Sequence, residues 1–150
     1  MKLAPVPPRS AAALKAVLDS LDVEHEHRYR PGYLVSNSTW CNRFVTDATE
    51  KLGCPVPFVL ANEQHDWISG DAGRAKGWRA VDFSEALKGI NEGLPTVAAW
   101  RNPIGHGHVG MGCPSSMPGL HIAAAGRVNF ACAPIAWSFG DHPFRLFSHQ

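Results

Sequence analysis

The stretch that decides the fold is Thr39-Trp40-Cys41-Asn42-Arg43-Phe44-Val45. Before it, Ser36-Asn37-Ser38-Thr39 supplies turn formers and side chains that are good helix N-caps. After it, apolar residues recur at helical spacing and a glycine follows as a stop: Phe44, Val45, Ala48, Leu52 and then Gly53. The pattern predicts a helix that begins at Cys41 and ends near Gly53.

Cys41 is therefore predicted to lie in the first turn of a helix. Backbone N–H groups and the positive end of the helix dipole would lie beside its sulfur, which favours the thiolate, the nucleophilic form. The alternative interpretation is a small buried cysteine, which is common for this residue type. Polar turn residues just before the helix make burial of the thiol harder, but the position of Cys41 alone leaves both interpretations open.

The composition indicates one ordinary globular domain. The chain has 150 residues, of which 45% are hydrophobic and 18% charged, so we expect a single domain over residues 1–150 with residues 1–9 flexible. The formal net charge is +1, from 14 basic and 13 acidic residues, which gives no electrostatic basis for binding nucleic acid. Four cysteines are too few for a disulfide scaffold, and we expect Cys54, Cys113 and Cys132 to be structural or incidental.

The amino terminus does not have the pattern of a signal peptide. Lys2 is the only basic residue among the first eight, and Pro5, Pro7 and Pro8 prevent an unbroken apolar run. Residues 10–21 instead predict an amphipathic helix. No stretch approaches the roughly 20 apolar residues that a membrane-spanning helix requires. We therefore expect a protein that is synthesised in the cytoplasm and has no integral membrane segment.

The pattern changes period near the middle of the chain. Residues 53–80 predict irregular structure, and residues 82–85 have the spacing of a capping box that opens a short helix. Beyond it, four short segments with turn signals between them are predicted strands: 96–100, 108–112, 120–124 and 144–147. Helices followed by an antiparallel meander predict an α+β fold, in which N-terminal helices pack on a small antiparallel sheet.

A second chemical signal lies in Gly105-His106-Gly107-His108-Val109-Gly110. Side chains two apart on a strand share a face, so His106 and His108 could reach the same place. A cysteine nucleophile is usually paired with an imidazole, which makes His108 a candidate general acid or base for Cys41. The same residues are also compatible with a solvated glycine-rich turn or with a zinc pair.

The zinc interpretation needs a third ligand. Five side chains are available in principle: His25, His27, His65, His121 and Asp66. No His-Glu-x-x-His or Cys-x-x-Cys spacing supports this interpretation. It therefore stays an alternative to the cysteine mechanism.

The order of Tyr29, Cys41 and His108-Val109-Gly110-Met111 resembles that of the NlpC-type and CHAP-type cell-wall cysteine peptidases. Those families have a tyrosine upstream, a cysteine that opens a helix and a later strand that begins with His-Val. Residues 39–45 are more narrowly similar to small lytic enzymes of bacteriophages and related peptidoglycan-degrading bacterial proteins. The resemblance covers about residues 27–150, and further segments have counterparts in the same set: Trp78, 99–103, 122–126 and 129–130.

The resemblance implies a papain-like fold and a role for each matching residue. Cys41 would be the nucleophile, and His108 would hold it as a thiolate and later protonate the leaving amine. The hydroxyl of Tyr29 would lie near the oxyanion, alongside the backbone N–H of Cys41. His121 is the expected third residue, which orients the imidazole. The best local match places an alanine where that polar residue belongs, so Asn129 and a plain Cys–His dyad stay open.

The resemblance also implies the activity, that of a cysteine-dependent peptidoglycan hydrolase with no cofactor and no metal. The bond cut would be the amide between D-glutamate and the diamino acid, or the N-acetylmuramoyl–L-alanine amide. Trp40, Trp67 and Trp78 are candidate substrate contacts, and Trp100 is another, although tryptophans in small proteins more often serve packing.

Without a separate wall-binding domain, the chain is expected to be a monomeric bacteriophage endolysin or a toxin-type amidase. Either would act on the cell wall after release or delivery, and a toxin would have a cognate inhibitor or immunity protein as a partner. Two alternatives stay open. One is a zinc-dependent amidase that uses His106 and His108, and the other is a non-catalytic binding module of papain-like shape with an inert Cys41.

Overall fold

The computed structural model describes residue 6 and residues 8–150, which form a mixed α+β fold as predicted. This part of the chain contains six helices and six strands: α1 (Ala11–Leu21), α2 (Cys41–Lys51), α3 (Ala61–Ser69), α4 (Asp71–Ala75), β1 (Trp78–Val81), α5 (Phe83–Asn91), β2 (Thr96–Trp100), β3 (His108–Cys113), β4 (His121–Ala124), β5 (Phe130–Pro134), α6 (Ile135–Phe139) and β6 (Arg145–His149). A 3₁₀ turn, His27–Tyr29, lies between α1 and α2.

The expected flexible segment 1–9 lies mostly outside the described residues. Arg9, at its end, donates a hydrogen bond from its guanidinium to the carbonyl oxygen of His149 at 3.1 Å. The start of α1 is therefore tied to the last strand of the sheet.

The six strands form one antiparallel sheet in the order β1-β6-β2-β3-β4-β5. Strands β2, β3 and β4 are three of the four predicted strands, and they pair in chain order as a meander requires. The fourth predicted strand, 144–147, is β6 and does not continue this order, whereas β5, which pairs with β4, was not predicted. Strand β6 then crosses back to lie between β1 and β2. Strand β3 is therefore central, and it is buried from Val109 to Cys113.

The helix predicted at Cys41 is α2, and Gly53 lies just beyond its end with a φ of 78°. A positive φ is strained for residues that carry a Cβ, so glycine suits this position. The predicted polar N-cap is wrong, because the N-cap residue is Trp40 and its side chain makes no capping hydrogen bond. Asn42 compensates in part, since its Oδ1 accepts a hydrogen bond from the backbone N–H of Arg43 at 2.9 Å.

Two other helices have the predicted caps. At the start of α1 the hydroxyl of Ser10 accepts a hydrogen bond from the backbone N–H of Ala13 at 3.0 Å. At the start of α5, Asp82 and Glu85 form the reciprocal hydrogen bonds of a capping box. Within the described ranges, no helix is long and apolar enough to cross a bilayer.

The segment 53–80, predicted to be irregular, contains α3, α4 and β1. Its glycines separate short elements, and Gly73 also allows them to pack closely. A Cβ on Gly73 would lie 2.5 Å from the carbonyl oxygen of Ile68 and 2.6 Å from that of Trp67. The prediction was wrong because turn-forming residues mark the boundaries of short elements as well as loops.

Two of the four cysteines form a bond that no sequence pattern indicated. Cys113 at the end of β3 and Cys132 in β5 form a disulfide, and their Cα atoms are 5.8 Å apart. The meander brings together two residues that are 19 positions apart. Cys41 and Cys54 are free and buried.

Candidate active site

The first turn of α2 is fixed by polar side chains. Gln64 of α3 donates from Nε2 to the carbonyl oxygens of Asn42 and Pro57, at 3.1 and 3.0 Å. Asn42 in turn donates from Nδ2 to the carbonyl oxygen of Val59 at 3.0 Å. Hydrogen bonds that are shielded from water hold their partners firmly. The residue that opens α2, Cys41, is therefore rigidly positioned.

Cys41 is 5% exposed and lies against β3. Burial raises the pKa of its thiol, because a thiolate loses more hydration than a thiol. The backbone amide groups of Val109, Asn42 and Cys41 itself oppose this shift but do not cancel it. The sequence predicted a thiolate favoured by the helix terminus. The structure instead gives a resting thiol, because the loss of hydration outweighs the backbone amides.

His108 opens β3 and its ring is half-buried. Its Nε2 lies 2.7 Å from the hydroxyl of Ser138, and the ring packs against Phe139 with centroids 4.5 Å apart. Loss of hydration, the larger effect, and the nearby ring of His142 together lower the pKa of the imidazole to about 4. His108 is therefore neutral near pH 7, as a general base must be.

The thiol and the imidazole open into two adjoining cavities. The Cys41 cavity has a volume of about 400 Å³, and the His108 cavity has a volume of about 590 Å³. Four residues line both: Asn37, Thr39, His106 and Gly107. Among the described side chains, no hydrogen bond joins Cys41 Sγ to the ring of His108. The structure therefore brings the two groups to one groove without a hydrogen bond between them.

Tyr29 is not at this groove. Its hydroxyl donates to Oδ2 of Asp47 at 2.6 Å, and its ring packs edge-on against Phe44. Asp47 follows Cys41 by six residues, or about 9 Å along the helix axis at the usual rise per residue. The role of Tyr29 as an oxyanion donor does not fit this geometry, because the carboxylate of Asp47 already binds the hydroxyl.

His121 lies at the far end of β3 from His108. It pairs across the sheet with Cys113, five residues along that strand, which corresponds to about 16 Å. Its Nδ1 lies 3.2 Å from the carbonyl oxygen of Gly119. The structure therefore does not place His121 where it could orient the imidazole of His108.

Asn129 contacts main chain rather than an imidazole. Its Nδ2 donates to the carbonyl oxygens of Val23 and Tyr29, at 2.9 and 2.8 Å. Its Oδ1 accepts a hydrogen bond from the backbone N–H of Gly126 at 2.9 Å. Asn129 thus anchors the loop between β4 and β5, which passes beside His108.

Ser138, which the sequence did not predict, is the residue whose hydroxyl makes a hydrogen bond with the imidazole of His108. It lies in α6, 30 residues after His108, and no short motif in the sequence marks it. A second neighbour that sequence reasoning missed is His142, whose ring stacks on Trp100 with centroids 3.6 Å apart. Both Ser138 and His142 line the His108 cavity together with Trp100.

The other candidate tryptophans differ in position. Trp40 lines the Cys41 cavity, where its Nε1 donates to the carbonyl oxygen of Tyr33 at 3.0 Å. Trp67 is half-buried and packs against the core. Trp78 is completely buried in β1, an edge strand three places from β3, so it cannot contact a substrate in the groove.

The histidines proposed as zinc ligands are dispersed. His25 contacts Asp22, and His65 contacts Asp66, in separate parts of the molecule. In the residues described, no group of three or more His, Cys, Asp or Glu side chains is close enough to hold a metal ion. The pair His106 and His108 therefore has no third ligand beside it there.

No family model matches the chain, and a search of curated proteins finds no match. The function is therefore inferred from the residues and from the geometry of the groove.

Proposed function

We propose that this protein is a cysteine-dependent hydrolase of papain-like fold that cleaves an amide bond in the peptidoglycan stem peptide. The observation that carries the proposal is the shared groove, into which a thiol at a helix start and a neutral imidazole both open. Cys41 is the nucleophile and His108 is the base. Ser138 orients the imidazole through its hydrogen bond to Nε2.

The reaction begins from the neutral pair. Ser138 binds Nε2, which leaves Nδ1 of His108 to accept the proton of Cys41 as the sulfur attacks the amide carbon. The mechanism requires Cys41 Sγ and the imidazole of His108 to come into hydrogen-bond contact when substrate binds. The carbonyl oxygen becomes an oxyanion, which the backbone N–H groups of Cys41 and Asn42 are proposed to bind in place of the sulfur that they act on in the free protein.

The tetrahedral intermediate then collapses. The C–N bond breaks, and His108 gives its proton from Nδ1 to the departing amine. A thioester between Cys41 and the acyl group is left. Water attacks this thioester with His108 again as base, the acid leaves, and the proton returns to the sulfur.

The choice of peptidoglycan is supported by the sequence resemblance. The bond cut is either the D-glutamyl–diamino acid amide or the N-acetylmuramoyl–L-alanine amide. Trp40 lines the Cys41 cavity, and Trp100 and Trp137 line the His108 cavity, so these three tryptophans are proposed to contact the substrate. The biological setting proposed is that of a bacteriophage endolysin or a toxin-type amidase, which reaches the wall after release or delivery.

Digestion of purified peptidoglycan tests the proposal. We expect wild type to release fragments whose masses identify the bond, and Cys41→Ala or His108→Ala to lower the rate by about 1,000-fold or more. Cys54→Ala and His25→Ala are matched controls, because Cys54 is the other free cysteine and His25 is exposed near Asp22. Full activity of Cys41→Ala would overturn the mechanism. Loss of that activity when a chelator is added would favour the zinc alternative.

A second candidate is a non-catalytic binding module with the same groove. It is favoured by the raised pKa of Cys41 and by the lack of a hydrogen bond from its sulfur to His108 in the described structure. For this candidate, wild type and Cys41→Ala would bind insoluble peptidoglycan equally and neither would release fragments. Fragment release by wild type alone would exclude it.

A further inference from the structure

A third cavity extends the groove beyond His108. Its volume is about 590 Å³, and it is lined by Pro31, Gly32, Asn37, Ser38, Thr39 and Arg127. Three of these residues also line the His108 cavity, namely Asn37, Thr39 and Arg127. We call it the Arg127 cavity. It is continuous with the groove that contains the proposed nucleophile and base.

The charge of the groove comes from one side chain. None of the residues that line the three cavities is an aspartate or glutamate, and Arg127 is the only lysine or arginine among them. Arg127 is exposed, and its guanidinium makes no hydrogen bond or ion pair with another described residue. By contrast, Arg101 binds Asp66 through two nitrogens, at 2.9 and 3.2 Å. The Arg127 cavity is therefore electropositive.

The backbone of Arg127 is fixed close to the imidazole. Arg127 follows Gly126, and a Cβ built on Gly126 would lie 3.3 Å from Cε1 of His108. Asn129 holds the same loop, because its Oδ1 accepts a hydrogen bond from the backbone N–H of Gly126 and its Nδ2 donates one to the carbonyl oxygen of Tyr29. The guanidinium of Arg127 thus extends from a fixed backbone whose preceding residue contacts the base. In a groove without acidic side chains, a guanidinium that is unpaired among the described residues is suited to bind an anionic group of a bound substrate.

We propose that Arg127 binds a free carboxylate of the substrate and so makes the enzyme specific for acidic peptide amides. The planar guanidinium presents paired N–H donors that match the two oxygens of a carboxylate. Thr39, which lines both this cavity and the His108 cavity, carries a hydroxyl that we propose as a further donor. This proposal rests on the proposed function and specifies its substrate class. A stem peptide whose carboxylate is amidated is then a poorer substrate than the free acid.

Binding to inactive protein tests the proposal independently of catalysis. Cys41→Ala protein is titrated with a synthetic L-alanyl-γ-D-glutamyl-diamino acid peptide, once with the glutamyl α-carboxylate free and once as its α-amide. We expect the free acid to bind roughly 10- to 100-fold more tightly, as for a hydrogen-bonded charged group. A second substitution, Arg127→Gln, in the Cys41→Ala protein should abolish this preference, because it should weaken the binding of the free-acid peptide only. Arg74→Gln is the matched control, because Arg74 pairs with Asp71 on α4.

The outcomes separate this proposal from the proposed function. Equal binding of acid and amide, no measurable binding of either, or an equal loss for both peptides in Arg127→Gln would overturn the role of Arg127. If wild type cleaves peptidoglycan while the two peptides bind equally, the role of Arg127 alone is wrong. If the acid is preferred through Arg127 and wild type cleaves nothing, the groove binds acidic peptides and the proposed hydrolase activity is wrong.

Discussion

Cys41 and His108 are both neutral at rest, for the same physical reason. Loss of hydration penalises the charged form of each side chain, so it raises the pKa of the thiol and lowers that of the imidazole to about 4. The ordinary pKa of histidine is 6.5, so protonation of His108 favours the unfolded chain. Its contribution to the free energy of unfolding is therefore lost as the pH falls from about 6.5 to about 4.

Alkylation of Cys41 reports this protonation state directly. In a Cys54→Ala background, iodoacetamide should label Cys41 slowly at neutral pH, because only the thiolate reacts and its pKa is raised. The rate should climb with pH throughout the alkaline range. The measurement is the mass of the labelled protein against time, and the Cys41→Ala, Cys54→Ala double variant is the control. A rate that is already high and flat below neutral pH would reveal a thiolate–imidazolium pair and contradict the neutral resting state.

Among the elements, α6 has an influence larger than its five residues suggest. It supplies Ser138, which bonds the imidazole of His108, and Phe139, which packs against the same ring. The β4–β5 loop approaches His108 near Gly126 and is anchored by Asn129. Two segments that lie late in the chain thus position the proposed base.

Replacement of Ser138 tests whether α6 orients the base. Ser138→Ala should lower kcat about fivefold to tenfold with little change in KM, as expected for one lost hydrogen bond. Ser138→Thr, which keeps the hydroxyl, should retain most of the activity. Nitrogen NMR of the His108 ring should show a change in tautomer balance in Ser138→Ala only. An unchanged kcat and an unchanged ring spectrum in Ser138→Ala would remove Ser138 from the mechanism.

Over the whole molecule, the sheet joins regions that are distant in the chain. Strand β6 returns beside β2, and the disulfide links β3 to β5. Strand β3 carries His108 at one end and Cys113 at the other. The disulfide therefore stabilises the strand that also carries the proposed base.

Reduction of the disulfide should weaken the fold measurably. A loop closed by residues 19 apart corresponds to a loss of about 3 kcal/mol in the free energy of unfolding. Urea denaturation with and without reductant measures the change. The Cys113→Ser, Cys132→Ser variant should have the same urea midpoint in both conditions. The expectation fails if reductant leaves the midpoint of wild type unmoved.

Much of the fold is predictable because its signals are local. The capping box of Asp82 and Glu85, the cap at Ser10 and the helix that begins at Cys41 each depend on residues within one or two turns. Strands β2, β3 and β4 were predicted and pair with their neighbours in the chain, which short turns favour, whereas β5 was not predicted. Strand β1 was missed because it is held by β6, whose residues lie more than 60 positions later.

The residues of the candidate site also divide into those that local sequence indicates and those that only contacts between distant segments reveal. The sequence alone identified Cys41 at a helix start, His108 at a strand start and Trp40 beside the thiol. Only the tertiary structure assigned Ser138 to the imidazole, Tyr29 to Asp47 and the side-chain nitrogen of Asn129 to the carbonyl oxygen of Tyr29, because each partner is 18 or more residues away. It also decided the protonation of Cys41, since the loss of hydration at a sulfur depends on every segment packed around it and not on its place in the helix.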